Sequence, residues 1–143
     1  MSEFLLSIMQ EIDFPSQAEN IHLVEKLIDD VCEELNVHED HYGNILIALT
    51  EAVNNAIHHG NSLDPTKKTF VSCGQGKNII KFTVKDEGPG FDYDNLPDPT
   101  DPENIEKPNG RGIFLMKNLA DEINFEENGR VVELIFQLNI SAN

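Results

Sequence analysis

Within "TEAVNNAIHHGN", residues 50–61, Glu51 and Asn55 stand one helical turn apart. They supply a carboxylate that can accept a proton and an amide oxygen that can ligate a hard cation such as magnesium. At about 100° per residue, Glu51, Asn55 and His58 project within about 60° of one another. Ile45, Leu46, Leu49, Val53, Ala56 and Ile57 occupy the opposite arc. A polar stripe of this kind is ordinarily a solvated helix face. Two successive asparagines in mid-helix, however, cost about 1 kcal/mol relative to alanine, and an exposed face has no need of them. Asn55 is the metal-ligand candidate of the pair, whereas Asn54 projects to the flank and receives no role. His58 lies nearer the stripe, and His59 is read as a packing or capping residue.

Two further stretches carry possible site chemistry. In "VKDEGPGFD", residues 84–92, a strand runs into Asp86, Gly88 and Gly90. Glycines there let the backbone turn and approach a ligand, and a carboxylate at a strand end can accept from an exocyclic amine. By itself the stretch is also an ordinary Asp/Gly turn. In "NGRGIFLMKNL", Gly110 and Gly112 open a helix, whose free N-terminal amides suit phosphate. A flexible joint would look the same. The order of the three is more specific than any part: ExxxN on a helix, DxGxG after a strand, then a long loop closing on GxG before a helix.

The elements that must position these residues follow from periodicity. Residues 4–13 are expected as a strand. Ser16 and Glu19 then have capping-box spacing ahead of a helix whose core face is Ile21, Val24, Ile28, Val31 and Leu35. A second helix is expected from about Glu39 to His59, with Gly60 as a left-handed C-terminal cap. "TFVSCG" and "NIIKFTVKD" alternate as two strands joined by a turn over Gly74 to Asn78. Residues 92–111 hold four prolines and no sustained period, the mark of a functional lid or binding loop. "GIFLMKNLADEI" restores a helical pattern, and "INFEE" and "RVVELIFQL" close the chain as strands turned at Asn128 and Gly129. This order suggests a mixed sheet covered on one face by helices.

Composition narrows the function classes. A chain of 143 residues is most simply one domain, able to bury ~68–70% of the surface its unfolded form exposes. No apolar tract is long enough to span a bilayer. The N-terminus has no basic n-region and no small-residue cleavage site, so cytoplasmic retention is the expectation. Cys32 and Cys73 lack CxxC spacing and are expected as buried thiols. With 26 acidic against 10 basic residues the net charge is −16, which argues against nucleic acid and favours a basic protein partner.

In "TEAVNNAIHHGN", "DEGPGFD", the Pro-Asp-Pro lid and "GRGIFLMKNLADEI" the chain resembles the GHKL ATPase superfamily, which includes gyrase B, MutL and histidine kinases. Within it the chain looks most like the compact anti-sigma-factor serine kinases of the RsbW type, over nearly its whole length. The resemblance implies an α+β fold, a two-layer sandwich of the histidine-kinase-like (Bergerat) type with a mixed, mostly antiparallel sheet and helices on one face. It implies one domain over residues 1–143 with an ATP lid at about 92–111. It also implies ATP and magnesium as cofactors. Glu51 would be the general base, Asn55 the magnesium ligand and Asp86 the partner of the adenine amine. Gly88 and Gly90 would shape the adenine pocket and lid hinge, and Gly110 and Gly112 would let backbone amides reach the phosphates. Arg111 and Lys107 are the lid cations available for the terminal phosphate.

The function so implied is phosphorylation of a small anti-sigma-factor antagonist, with a sigma factor sequestered when the antagonist is unengaged. A homodimer through the first strand and helix is a further implication. The alternative is a nucleotide-responsive binding module with little or no phosphoryl transfer. Intact Glu51 and Asn55 favour the kinase. Eight acids between Asp86 and Glu106, an awkward setting for a polyphosphate, favour the module. A detached histidine-kinase catalytic domain is disfavoured, because the residues before the second helix are spent on a strand and helix of the fold.

Overall fold

The computed structural model describes residues 7–91 and 108–138. The lid from residue 92 to 107, Lys107 included, lies outside the described residues. Among the described residues five strands form one sheet: β1 (Ser7–Pro15), β2 (Lys68–Gly76), β3 (Ile79–Lys85), β4 (Glu122–Glu126) and β5 (Val131–Gln137), in the order β1-β2-β3-β5-β4. Every pairing is antiparallel, where the sequence suggested a mixed sheet. The reason is topological. β3 and β4 do run parallel, but β5 returns between them, so neither neighbours the other.

Among the described residues three α-helices accompany the sheet: α1 (Ile21–Glu34), α2 (Glu39–Asn55) and α3 (Pro108–Leu119). Period-2 alternation in β3 and β5 sends Ile80, Phe82, Val84, Val132, Leu134 and Phe136 into the core, where α2 packs against both strands. Phe82 and Phe136 meet edge to face at 6.2 Å between centroids. From the helices, Val24, Leu27, Ile28, Val31, Ile45, Leu49, Val53 and Ile57 complete this layer. Ile21, Leu35 and Leu46, expected on the core faces, are only partly buried. The opposite sheet face is mixed: Ile79, Val131 and Ile135 share it with Lys81, which pairs with Glu133 at 2.9 Å across β3 and β5. Cys32 and Cys73 are both buried and free, and burial pushes their thiols up to about 11 and about 12.

Two local expectations are corrected. Ser16 does not cap α1. Its hydroxyl is buried, donates to the Lys67 carbonyl at 2.8 Å and lies 2.9 Å from the Thr69 hydroxyl, and a 3-10 turn (Ala18–Asn20) precedes the helix instead. Capping-box spacing is local, and a buried tertiary partner outcompetes it. The last helix opens at Pro108, four residues before Gly112, because proline suits a first helical turn, where its missing N–H costs nothing. The hairpin turns are as composition suggests. Asn78 adopts φ 58°, and Glu127, Asn128 and Gly129 adopt φ 50°, 60° and 90° between β4 and β5.

Candidate functional site

α2 does not end in a left-handed glycine cap. It widens into a π-turn over Ala56–Gly60, a feature that often marks functional sites. The extra residue in that turn delays the helical register by about one position. His59 therefore takes the place that a straight helix would give to His58. The structure shows this directly: His59, and not His58, lines a cavity of about 150 Å³ beside α2. Burial, with His58 as a second cause, holds His59 below the usual imidazole range.

The cavity runs between the end of α2, the sheet and α3. Val84, Phe91, Ile113, Met116 and Phe125 give it an apolar lining, and Asn55 and Asp86 bring polar groups to it. Phe91 and Phe125 meet edge to face at 5.6 Å. A cavity of ~150 Å³ with apolar walls accepts a flat ring. Asp86 is buried and accepts from the Gly88 amide at 2.8 Å. Burial raises its pKa, while the Gly88 N–H, Arg130 and Lys67 pull the other way.

Two glycines make room for Asp86. A β-carbon on Gly60 would stand 2.3 Å from an Asp86 carboxylate oxygen, and one on Gly88 would stand 1.8 Å from the Gly60 carbonyl oxygen. Gly60 is thus explained by close approach and not by helix capping. Gly90, at φ 84°, turns the chain against the Asn128 carbonyl, and Phe91 donates to that carbonyl at 2.8 Å.

At the other end of the cleft α3 packs against α2. A β-carbon on Gly112 would lie 2.9 Å from Asn55 Nδ2 and 3.2 Å from Glu51 Oε2. Glu51, Asn55 and the first turns of α3 are therefore brought together. Gly112 is the fifth helical residue, past the four donors that a helix start leaves unpaired, whereas Gly110 lies among them. Arg111 is exposed and does not line the cavity, and neither do Glu51, Gly88 or Asn54.

The sequence model of the histidine kinase-like ATPase domain matches residues 14–136. The chain belongs to that family. Among its relatives, the serine-protein kinase RsbW of Bacillus cereus (strain AH820) and that of Bacillus anthracis (strain A0248) are each 29% identical to it over 119 residues. Those alignments span 79% of this chain and 74% of theirs. The crystal structure of the RsbU and RsbW domains of Rv1364c from Mycobacterium tuberculosis superposes with a TM-score of 0.66 at 16% identity. That match covers 90% of this chain and 31% of the other, and it shows the shared fold.

As a histidine kinase-like ATPase domain the chain is expected to use ATP, and the cleft fits it. An apolar slot with one buried carboxylate suits a base that carries an amine. Among the described residues no group of three or more His, Cys, Asp or Glu could hold a metal. The Asn55 amide oxygen fits a magnesium ion bound through one or two protein oxygens and otherwise by phosphates and water. No helix among the described residues is long and apolar enough to cross a membrane.

Sequence reasoning missed Arg130, the one arginine or lysine among the described residues that lines the cavity, along with the aromatic and methionine walls. Arg130 follows the Asn128–Gly129 turn, and its carbonyl accepts from the Asp86 amide at 3.0 Å. Only the pairing of β3 with β5 brings it there, so no local signal announces it.

The burial of Asp86 has a consequence for stability. Its carboxyl ionises less readily in the folded chain than in the unfolded one. The charge therefore costs stability above the raised pKa, and the cost disappears as pH falls towards the ordinary carboxylate value. Asp86→Asn keeps an oxygen for the Gly88 amide. Without nucleotide it is expected to melt above the native protein at pH 7, with the gap closing as pH falls through the range where Asp86 protonates. Melting curves at pH 7 and pH 4 check this.

Proposed function

We propose that the chain is an ATP-dependent protein serine kinase of the anti-sigma-factor type. Its substrate is a small anti-sigma-factor antagonist, and it holds a sigma factor when the antagonist is absent. The observation that carries this reading is the convergence of Glu51 and Asn55 on Gly112 of α3, at one end of a cleft whose other end holds the buried Asp86. The similarity to RsbW serine-protein kinases supplies the reaction class.

In this mechanism Asp86 accepts from the exocyclic amine of the adenine, while Val84, Ile113 and Met116 exclude water from its faces. Amides at the start of α3, Gly110 among them, bind the phosphates. Arg111 is the described lid cation available to the terminal phosphate. Glu51 takes the proton of the substrate serine as that oxygen attacks the terminal phosphate in line. Magnesium supplies neutralisation of phosphate charge when bound with the nucleotide, and Asn55 is the residue that would hold it.

Nucleotide binding is checked by melting. At a hundred times its dissociation constant Mg-ATP adds ~2.7 kcal/mol, or about 5–11 °C for a domain of this size. Asp86→Asn is expected to abolish most of that shift, and an intact shift in the variant would place the base elsewhere. The acidic residues after Asp86 favour a second reading, a nucleotide-responsive binding module. Labelled ATP and a protein captured from the native cell separate the two. Label on a partner serine supports the kinase, and a partner that binds in a nucleotide-dependent way without ever acquiring label supports the module.

A further inference from the structure

Asn61 lies immediately beyond the π-turn and is fully buried, yet it neither lines the cavity nor reaches Glu51 or Asn55 by any hydrogen bond. Three of the four hydrogen bonds its side chain can make are in place. Nδ2 donates to Ser16 Oγ at 2.8 Å and to the Lys68 carbonyl at 2.9 Å, and Oδ1 accepts from the Glu87 amide at 2.8 Å. Its own amide donates to the Ala56 carbonyl at 2.8 Å, closing the widened turn. One residue thus ties together the end of β1, the start of β2, the end of α2 and the peptide between Asp86 and Gly88.

The surroundings make this tie directional. The Glu87 carboxylate accepts from the Lys68 amide at 2.6 Å, so residue 87 is held on both its backbone and its side chain. The close approach of Gly60 to Asp86 and Gly88 leaves the loop little room on the other side. A buried amide with three partners in place fixes geometry more firmly than an apolar contact, because any shift leaves a buried polar group unpaired.

We propose that Asn61 is a positioning residue for base recognition: it holds the Asp86–Gly88 loop at the height where Asp86 meets the exocyclic amine of the nucleotide. The inference rests on the reading of Asp86 as the base-binding carboxylate, and its test keeps the two apart. Dissociation constants are measured for Mg-ATP and for magnesium inosine triphosphate, which carries a carbonyl in place of the amine, on the native protein and on Asn61→Ala. The native protein is expected to prefer ATP by about tenfold or more. Asn61→Ala is expected to melt lower and to bind both nucleotides with a preference within about twofold of unity. A purely structural role would lower the melting temperature and leave the preference unchanged, and that result overturns the proposal while leaving Asp86 in place. A native protein that does not discriminate removes the role of Asp86 and the proposal with it.

A second measurement needs no variant and covers the case in which Asn61→Ala does not fold. In the nucleotide-free native protein the Glu87 amide, bonded to the buried Asn61, is expected to exchange with solvent at least ~100-fold more slowly than an unprotected amide. Exchange at the unprotected rate would show that the loop is not held, and would overturn the proposal.

Discussion

Glu51→Ala is expected to lower phosphoryl transfer to the partner serine by ~10²- to 10⁴-fold, the usual contribution of a positioned general base. Mg-ATP affinity should change only a few-fold, because Glu51 does not line the cavity. Its carboxylate instead faces α3, with Oε2 3.2 Å from the point a β-carbon on Gly112 would occupy. That places it at the end of the cleft proposed for the phosphates, opposite Asp86. The initial rate of label transfer from ATP and the dissociation constant of Mg-ATP, taken on the same preparations, give the two numbers. Equal transfer by native and variant protein removes Glu51 from the role of base. Loss of nucleotide binding along with transfer would mean that the contact between α2 and α3 had been damaged instead.

Gly88→Ala is expected to have the largest effect on the fold. Its β-carbon would stand 1.8 Å from the Gly60 carbonyl oxygen, a backbone atom that cannot rotate away as a side-chain tip can. Overpacking of this kind costs about 3 kcal/mol or more, or roughly 6–12 °C in melting temperature. The same displacement moves the Asp86 carboxylate, so the Mg-ATP melting shift should vanish as well. Gly43→Ala supplies the contrast. Nothing lies within 4 Å of its added carbon, and it sits inside α2, so it should stabilise by up to ~1 kcal/mol and leave nucleotide binding alone. A Gly88→Ala protein that melts like the native one would mean that the approach of the loop to the end of α2 is looser than described.

Much of this molecule is legible from local pattern. The apolar arc of α2 and the alternation in β3 are properties of a few neighbouring residues. Burial follows them closely: Ile45, Leu49 and Val53 face the core, as do Ile80, Phe82 and Val84. The grouping of Glu51 with Asn55 is legible for the same reason, since one turn of helix separates them. The errors arise where a residue has a distant competitor. Ser16 has capping-box spacing but is taken by Lys67, Thr69 and Asn61. Gly60 follows a helix like a cap but is small because Asp86 presses on it.

By itself, then, the sequence determined the helices and strands, the separation of polar from apolar faces, and the residue types that point to ATP chemistry. Periodicity and spacing within one element are enough for those. Only the tertiary structure decided that His59 rather than His58 reaches the cavity, that Arg130 stands beside Asp86, and that Asn61 ties the end of β1, the start of β2 and the end of α2 to the Asp86–Gly88 loop. Each of these depends on a widened turn or on pairing between residues far apart in the chain. Local spacing carries no record of either, because the free energy that selects them is that of burying polar groups with partners from other elements.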